Sequence, residues 1–535
     1  MSKMKIILNM PPSYFQDVVV PHFYKGGEGG FDTRKIPLSP PLSKWEAVRR
    51  CSSCELFKGM KLKSLALLLP ACLLVACTTG PDYKRPDMVL PESWPTQQGD
   101  AAQKVSGTSE QWWHLYADAF LDQIEDEALA HNTDIQVAAA HVLEIRAQLG
   151  ITEADQYPTV SANAAESHTR VTTVGTVPYP ATVSPTQNFS HVSLNASYEI
   201  DLWGKLRRAS EAARADLLSA ESARETVRLT LTTQVAQQYF ALVSLDAQEA
   251  ATRRVLEGRQ ERVSLNRKQL EVGVISEYDL HQADADVAAV KSQLVSIAQA
   301  RDKQETALTL LLGRSPRDVM GGDIHRGSPS LPAAAVPDGL PAELLLRRPD
   351  LKDAEQRLIA LNARIGAARA QFFPSITLTS YLGSESAAFA NLFSGPSGIF
   401  QFAANISQPI FNADRVGHMV EVAEARRDQA LLQYKQAVAS AFADVRNALS
   451  AQESARQVLA SESARSAALE QALKQAELRY QAGITSRLEL LDVERNYLQA
   501  QLNTLDAERA QRSAVADLFK ALGGGWQEKI SSKSK

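Results

Sequence analysis

The chain repeats itself, and few features narrow a fold more than a long internal duplication. Gly150 through Tyr157-Pro158-Thr159-Val160-Ser161 matches Gly366 through Phe373-Pro374-Ser375-Ile376-Thr377 at an offset of 216 residues. Val272-Gly273-Val274-Ile275-Ser276 matches Ala482-Gly483-Ile484-Thr485-Ser486 at an offset of 210, and Leu311-Leu312-Gly313 matches Ala521-Leu522-Gly523 at the same 210. Three matches in the same order over roughly 160 residues are hard to obtain by chance. The 535 residues therefore hold two copies of one structural plan, taken as residues 77–312 and 342–523.

Each copy reads as a helix, two strands, a very long helix, a tight turn and a second long helix. In the first copy Leu280, Ala283, Val287, Val290, Leu294 and Ile297 recur at alternating spacings of three and four, the seam of a helix packed as in a coiled coil. Val438, Phe442, Val445 and Leu449, then Leu491, Leu498, Leu502 and Leu505, do the same in the second. No proline interrupts 203–312 or 410–523. A helix from Trp203 to Glu271 spans about 100 Å at ~1.5 Å per residue, over three times the ~30 Å hydrocarbon thickness of a bilayer. Helices this polar must stand in water, side by side, and their many alanines permit close approach.

The strands alternate. Val192, Leu194, Ala196, Tyr198, Ile200 and Leu202 interleave with Ser193, Asn195, Ser197, Glu199 and Asp201. Phe400, Phe402, Ala404 and Ile406 interleave with Gln401, Ala403, Asn405 and Ser407, and Ile376 and Leu378 with Ser375, Thr377 and Thr379. A half-buried sheet in a soluble domain explains such a pattern; so does a membrane barrel with lipid outside and water inside. The second is favoured because no helix offers an apolar face to cover the sheet. Two hairpins supply four strands, and an open sheet in lipid leaves unpaired edge groups at several kcal/mol each. Membrane barrels need about eight strands or more, so the monomer is excluded, while two chains or three would both close a barrel. Trp203, just past a strand, fits either a membrane-interface aromatic or packing where barrel meets helices. Glu199 and Asp201 are expected to face the lumen near that junction.

Upstream lies an export address. Lys61 and Lys63 precede Leu65, Leu67, Leu68, Leu69, Leu73, Leu74 and Val75, and Pro70 disfavours a spanning helix. Leu74-Val75-Ala76-Cys77 resembles the bacterial lipobox, in which the cysteine becomes the acylated first residue; by the same resemblance, a residue other than Asp at the next position, here Thr78, implies the outer membrane. Residues 60–76 are thus expected to be a lipoprotein signal peptide and 1–59 an extension outside the mature protein, with Met60 an alternative start. Cys51-Ser-Ser-Cys54 has no second pair or His partner and is weak as a zinc motif. After processing the only cysteine is Cys77, which excludes disulfides.

A net charge of −4 and a pI near 6.2 exclude a generally basic nucleic-acid binder. GxxxxGK[ST], HExxH and GxSxG are all absent, so the chain is expected not to be an enzyme, and without an ATP site it can only be passive. No cofactor is expected beyond a covalent lipid on Cys77, and no metal. Met88, Met320 and Met419 are the only methionines after Cys77, against a dedicated copper path. The competing reading is a lipid-anchored periplasmic coiled-coil scaffold or adhesin, which shares the heptads but has no use for four alternating strands.

Cys77-Thr-Thr-Gly-Pro-Asp-Tyr-Lys-Arg-Pro86, Tyr198-Glu-Ile-Asp-Leu-Trp-Gly-Lys-Leu-Arg207, and Arg347-Arg-Pro-Asp-Leu351 leading to Ala370-Gln-Phe-Phe-Pro-Ser-Ile376 resemble the TolC-like outer-membrane efflux proteins, in particular their NodT-type lipoprotein branch. The resemblance covers the chain after Cys77. It implies a mainly α fold with membrane β structure: a homotrimer whose twelve-strand β-barrel in the outer membrane continues into a twelve-helix barrel in the periplasm. It also implies an equatorial region, for which 313–341 and the chain ends, including the tail 524–535, are candidates. As partners it implies a periplasmic adaptor protein, an inner-membrane RND-type pump and outer-membrane lipid.

Gly273 and Gly483 let the long helices reverse, which puts Gly273, Val274, Ser276, Gly483, Ile484 and Ser486 at the tips where, by the resemblance, an adaptor docks. Asp279, Glu489 and Asp492 lie within two turns of those tips, the latter pair on one face. In an oligomer each becomes a ring of like charge, able to select cations and to repel when packed closely. The resemblance matches Tyr480, Glu489 and Asp492 to a periplasmic gate, and Asp279 joins them as a gate candidate from its place near the tip; solvated helix faces are the plainer explanation.

Overall fold

The computed structural model describes residues 79–88, 111–176, 180, 182–321, 324–328 and 347–524. The extension 1–59, the signal 60–76, Cys77, most of the linker between the copies and the tail beyond Gly524 lie outside the described residues. Among the described residues no helix is long and apolar enough to cross a membrane.

The duplication is reproduced element by element. After a short 3₁₀ segment at Trp112–Tyr116 come α1 (Ala119–His131) and α2 (Thr133–Ala154), strands β1 (Thr159–Arg170) and β2 (Thr186–Ile200), and helices α3 (Lys205–Glu271) and α4 (Glu277–Leu311). The short α5 (Pro316–Gly321) precedes the second copy: α6 (Pro349–Ala370), β3 (Ser375–Ser386), β4 (Gly398–Ser407), α7 (Arg415–Gln481) and α8 (Arg487–Ala521). α2 and α6 both hold 22 residues and β1 and β3 both hold 12. α3 and α7 both hold 67, α4 and α8 both hold 35. The offset is 216 before the hairpins and 210 after them, because the second hairpin is six residues shorter.

The four strands form one antiparallel sheet in the order β1-β2-β3-β4. Its register stacks like on like: Ala162, Leu194, Leu382 and Phe400 lie side by side across one face, and Ser161, Asn195, Tyr381 and Gln401 across the other. Successive strand residues point to opposite faces, so the alternation becomes one apolar and one polar surface. Ser380 and Ser384 interrupt the apolar rows, and toward the hairpin loops the same face turns polar, with Glu166, Ser190 and Ser386 side by side and His168 opposite Asn188. Among the described residues no long helix packs on either face, and β1 and β4 each pair on one side only, so both edges of the sheet are open there.

The expected seams are buried at Ala283, Val290 and Ile297 in α4, Val438 and Val445 in α7, and Leu491, Leu498 and Leu502 in α8, and half-buried at Leu280, Val287, Leu294, Phe442, Leu449 and Leu505. One core gathers Trp112, Trp113, Tyr116, Tyr239 and Phe240 with Leu308 and Phe519, joining the 3₁₀ segment and α1 to α3, α4 and α8. A second forms where α6, α7 and the end of α8 meet, around Leu351, Leu358, Tyr434 and Val445. Trp203 packs at the junction of sheet and helices: its ring stacks on Phe373 with centroids 4.6 Å apart, and Nε1 donates to the Pro374 carbonyl at 2.8 Å. Glu199 and Asp201 are ion-paired there with Lys205 (2.9 Å) and Arg207 (3.3 Å) rather than free.

Candidate functional site

Both tips are the same turn. Gly273 has φ +75° and Gly483 φ +71°. Val274 N donates to the Gln269 carbonyl (2.8 Å) and Gly273 N to Leu270 (2.9 Å); Ile484 N donates to Arg479 (2.9 Å) and Gly483 N to Tyr480 (3.0 Å). This is the Schellman arrangement, which ends a helix on a left-handed residue and so favours glycine. Ser276 and Ser486 cap the returning helices, their Oγ atoms accepting from Asp279 N and Glu489 N at 3.3 Å each. Val272, Val274 and Tyr278 on one tip, and Ile484 and Leu488 on the other, are exposed apolar side chains.

The acidic candidates separate by their contacts. Asp279 completes a capping box, its Oδ2 accepting from Ser276 N (3.1 Å) and Oγ (2.7 Å), and these bonds hold its carboxyl below the usual range. Glu489 accepts from Thr485 Oγ1. Asp492 accepts from Asn496, one turn on (3.3 Å). Glu489 and Asp492 are both exposed on the protomer, as is the side chain of Tyr480.

Behind the tips the two hairpins are latched to each other. Arg262 on α3 pairs with Glu494 on α8, and Arg487 donates to Asn266 Oδ1 at 3.1 Å. Arg259 is buried beside them and donates to the Asp286 carbonyl at 3.4 Å. Neither latch left a mark in the sequence, because charged residues on a long solvated helix are the rule.

At the opposite end the segment after Cys77 is strapped along α6. Thr79 Oγ1 donates to the carbonyls of Trp203 (3.0 Å) and Gly366 (3.2 Å), and a Cβ at Gly80 would sit 2.4 Å from the Gly366 Cα. Asn362 donates to the Pro81 carbonyl (2.8 Å), Tyr83 donates to Glu355 (3.0 Å), and Arg85 grips Glu355 with two bonds of 2.7 Å. Arg208, buried, joins this strap to α3 through Asp82 (2.7 Å) and the Thr79 carbonyl (3.3 Å). Thr79 therefore lies at the foot of the sheet, beside the Trp203 joint. Where α8 ends, Arg348 donates to the Ala521 carbonyl (2.8 Å) while its other nitrogens pair with Asp350 (2.7 Å) and Asp444 (3.0 Å).

A sheet with a bare apolar face, a polar face and two open edges, continued by long amphipathic hairpins, is a sector of a channel wall rather than a closed domain. The chain belongs to the family described as Outer membrane efflux protein, which matches residues 125–314 and 340–524, one match for each copy. It is 34% identical over 465 residues to the cation efflux system protein CusC of Escherichia coli O6:H1, covering 86% of this chain and 99% of that one. The probable outer membrane lipoprotein SilC of Salmonella typhimurium is 33% identical over 474 residues, covering 88% and 100%. The crystal structure of the Campylobacter jejuni CmeC outer membrane channel superposes with a TM-score of 0.79 at 27% identity, covering 85% of this chain and 96% of that one.

The fold is accordingly the TolC-like one, in which three copies complete a twelve-strand barrel continuous with a twelve-helix barrel. The protein is an outer-membrane channel component of an efflux system, and its relatives are channel proteins, not enzymes. The scaffold or adhesin reading falls with this.

Proposed function

We propose that the chain is the exit duct of a tripartite pump, anchored through lipid on Cys77, met at its helix tips by a periplasmic adaptor and supplied by an inner-membrane pump of the RND type. The strap supports the anchor, because it holds Thr79 at the foot of the sheet beside the Trp203 joint. Exposed Val274, Ile484 and Leu488 beside rigid glycine turns give an adaptor apolar points to grip. Glu489 and Asp492 form the gate face; Asp279 contributes its charge while serving chiefly as a cap.

The observation that carries this reading is that α3 and α7, unbroken over 67 residues each, join a lipid-facing sheet at one end to exposed tips at the other. Purified protein in planar bilayers should conduct. Replacing Glu489 and Asp492 together with Ala should change conductance and reduce cation preference; unchanged values would remove both from the gate. The pump, not this passive wall, chooses the cargo.

A further inference from the structure

We propose that the two open edges of the sheet join copy to copy in a register already written inside each chain, with Ile410 of one copy opposite Val160 of the next.

The duplication maps strand onto strand. Within the first hairpin Thr159 lies opposite Ser197; within the second Ser375 lies opposite Ser407. Adding 216 to Thr159 gives Ser375, and adding 210 to Ser197 gives Ser407. The offsets that relate the helices therefore also relate the strands, so β1 corresponds to β3 residue for residue and β4 corresponds to the stretch Asn188 to Ser197 of β2. The left-handed residues before the long helices obey the same rule: Gly204 (φ +79°) and Asp414 (φ +58°) are 210 apart.

The joint between the copies inside one chain is β2 against β3, with Ile200 opposite Ile376 through Ser190 opposite Ser386. Carried through the same offsets, that joint becomes β4 against β1 of the next copy, from Ile410 opposite Val160 to Phe400 opposite Arg170. A head-to-tail contact of this kind uses two different surfaces and closes into a ring when the rotation permits. The parity of the pleat agrees, since Ile410, Ile406 and Phe402 then lie beside Val160, Ala164 and His168 on one face. A slip of one residue would set Ser161 and Asn163 into the apolar rows. Slips of two residues keep parity, and only the internal repeat distinguishes among them.

Exposure supports a second copy as the occupant. Ile200, inside the intrachain joint, is 36% exposed, whereas its counterpart Ile410 is 93% exposed. Phe373, stacked under Trp203, is 41% exposed, whereas its counterpart Tyr157 is 70% exposed. Positions covered once within the chain are bare at its two ends. Trp203 itself corresponds to Ala413, so the copy-to-copy joint lacks that indole; Phe411, 90% exposed and two residues away, is the aromatic available to cover Tyr157. The register also lengthens β4 by three residues past Ser407, through Gln408, Pro409 and Ile410.

Cysteine pairs test this in the full lipoprotein in its membrane. Directly opposite strand residues have Cα atoms ~4.5 to 5.5 Å apart, within disulfide reach. Val160→Cys with Ile410→Cys should, on mild oxidation, give reducible covalent dimers and trimers in more than about half of the chains. Phe402→Cys with His168→Cys, near the other end of the strands, should do the same and guards against one pair failing to fold. Val160→Cys with Gln408→Cys or with Asn412→Cys shifts the partners by two residues to about 8 Å, and should cross-link at least fivefold less. Equal or stronger cross-linking in either shifted pair would overturn the register. So would no cross-linking in both matched pairs while the protein still conducts in bilayers, a result that leaves the exit-duct reading standing.

Discussion

Arg214 on α3 bonds Glu153 on α2 at 2.9 Å, and in the second copy Glu424 and Arg369 stand at the corresponding positions, forming the same contact at 2.5 Å with the charges exchanged. The duplicated scaffold holds the pair's geometry and is indifferent to its polarity. Exposed ion pairs contribute about 0.2 to 1 kcal/mol. Glu153→Arg alone should therefore lower the unfolding free energy by up to ~1 kcal/mol through like-charge contact, and adding Arg214→Glu should restore it. Denaturant melts of the four proteins of the double-mutant cycle measure the coupling; additive effects would show that the contact is idle.

Arg348 ties the start of α6 to the end of α8. Removing it strands the Ala521 carbonyl in a buried place, and bonds involving a charged donor are worth about 1.5 to 3 kcal/mol. Arg348→Met should cost about 2 kcal/mol in detergent-solubilised protein by that measure. Arg348→Lys should recover only part, because an ammonium cannot bridge Ala521, Asp350 and Asp444 as the guanidinium fork does. Full recovery by lysine would argue for charge alone.

Glu125 on α1 is wholly buried, neither carboxylate oxygen has a hydrogen-bond partner among the described residues, and burial with Asp126 and Asp122 nearby pushes its pKa well above the usual carboxylate value. A carboxyl whose folded pKa is raised gives its full stability below the unfolded value and loses it as pH climbs through the folded one. Thermal stability should accordingly fall from pH 4.5 toward neutrality by an amount that Glu125→Gln removes, the variant being the more stable of the two at pH 8. Parallel pH profiles for wild type and variant would rule Glu125 out.

Gly273 and Gly483 have open space around the missing Cβ, so only backbone conformation demands glycine there. A side chain in the left-handed region costs roughly 1 to 2 kcal/mol. Gly483→Val should speed amide exchange at residues 480–488 with little change in global melting, since the tip lies far from both cores. A large fall in melting temperature would contradict that separation.

The pairing of Arg262 with Glu494 holds one hairpin of a chain to the other just behind the tips. Glu494→Gln removes the charge but keeps the shape. It should raise open probability in bilayers severalfold while leaving trimer yield unchanged; a silent variant would mean that the hairpins do not separate here during opening.

The sequence alone determined the duplication, the proline-free helices, the amphipathic strands and the glycine tips, because periodicity and turn chemistry are local and the second copy repeats them. Ser276 and Asp279 are three residues apart, so their capping box also lies within reach of a local reading. Only the tertiary structure settled Trp203 against Phe373, Arg85 on Glu355, Arg348 on Ala521 and Arg262 on Glu494. These partners are separated by 170 to 270 residues, and a single charged or aromatic side chain carries no mark of which distant surface will meet it. The physical reason is that a solvated helix tolerates almost any polar residue at almost any outward position. Which of them become struts is decided when the helices are laid side by side, and the sheet edges are completed only when another copy arrives.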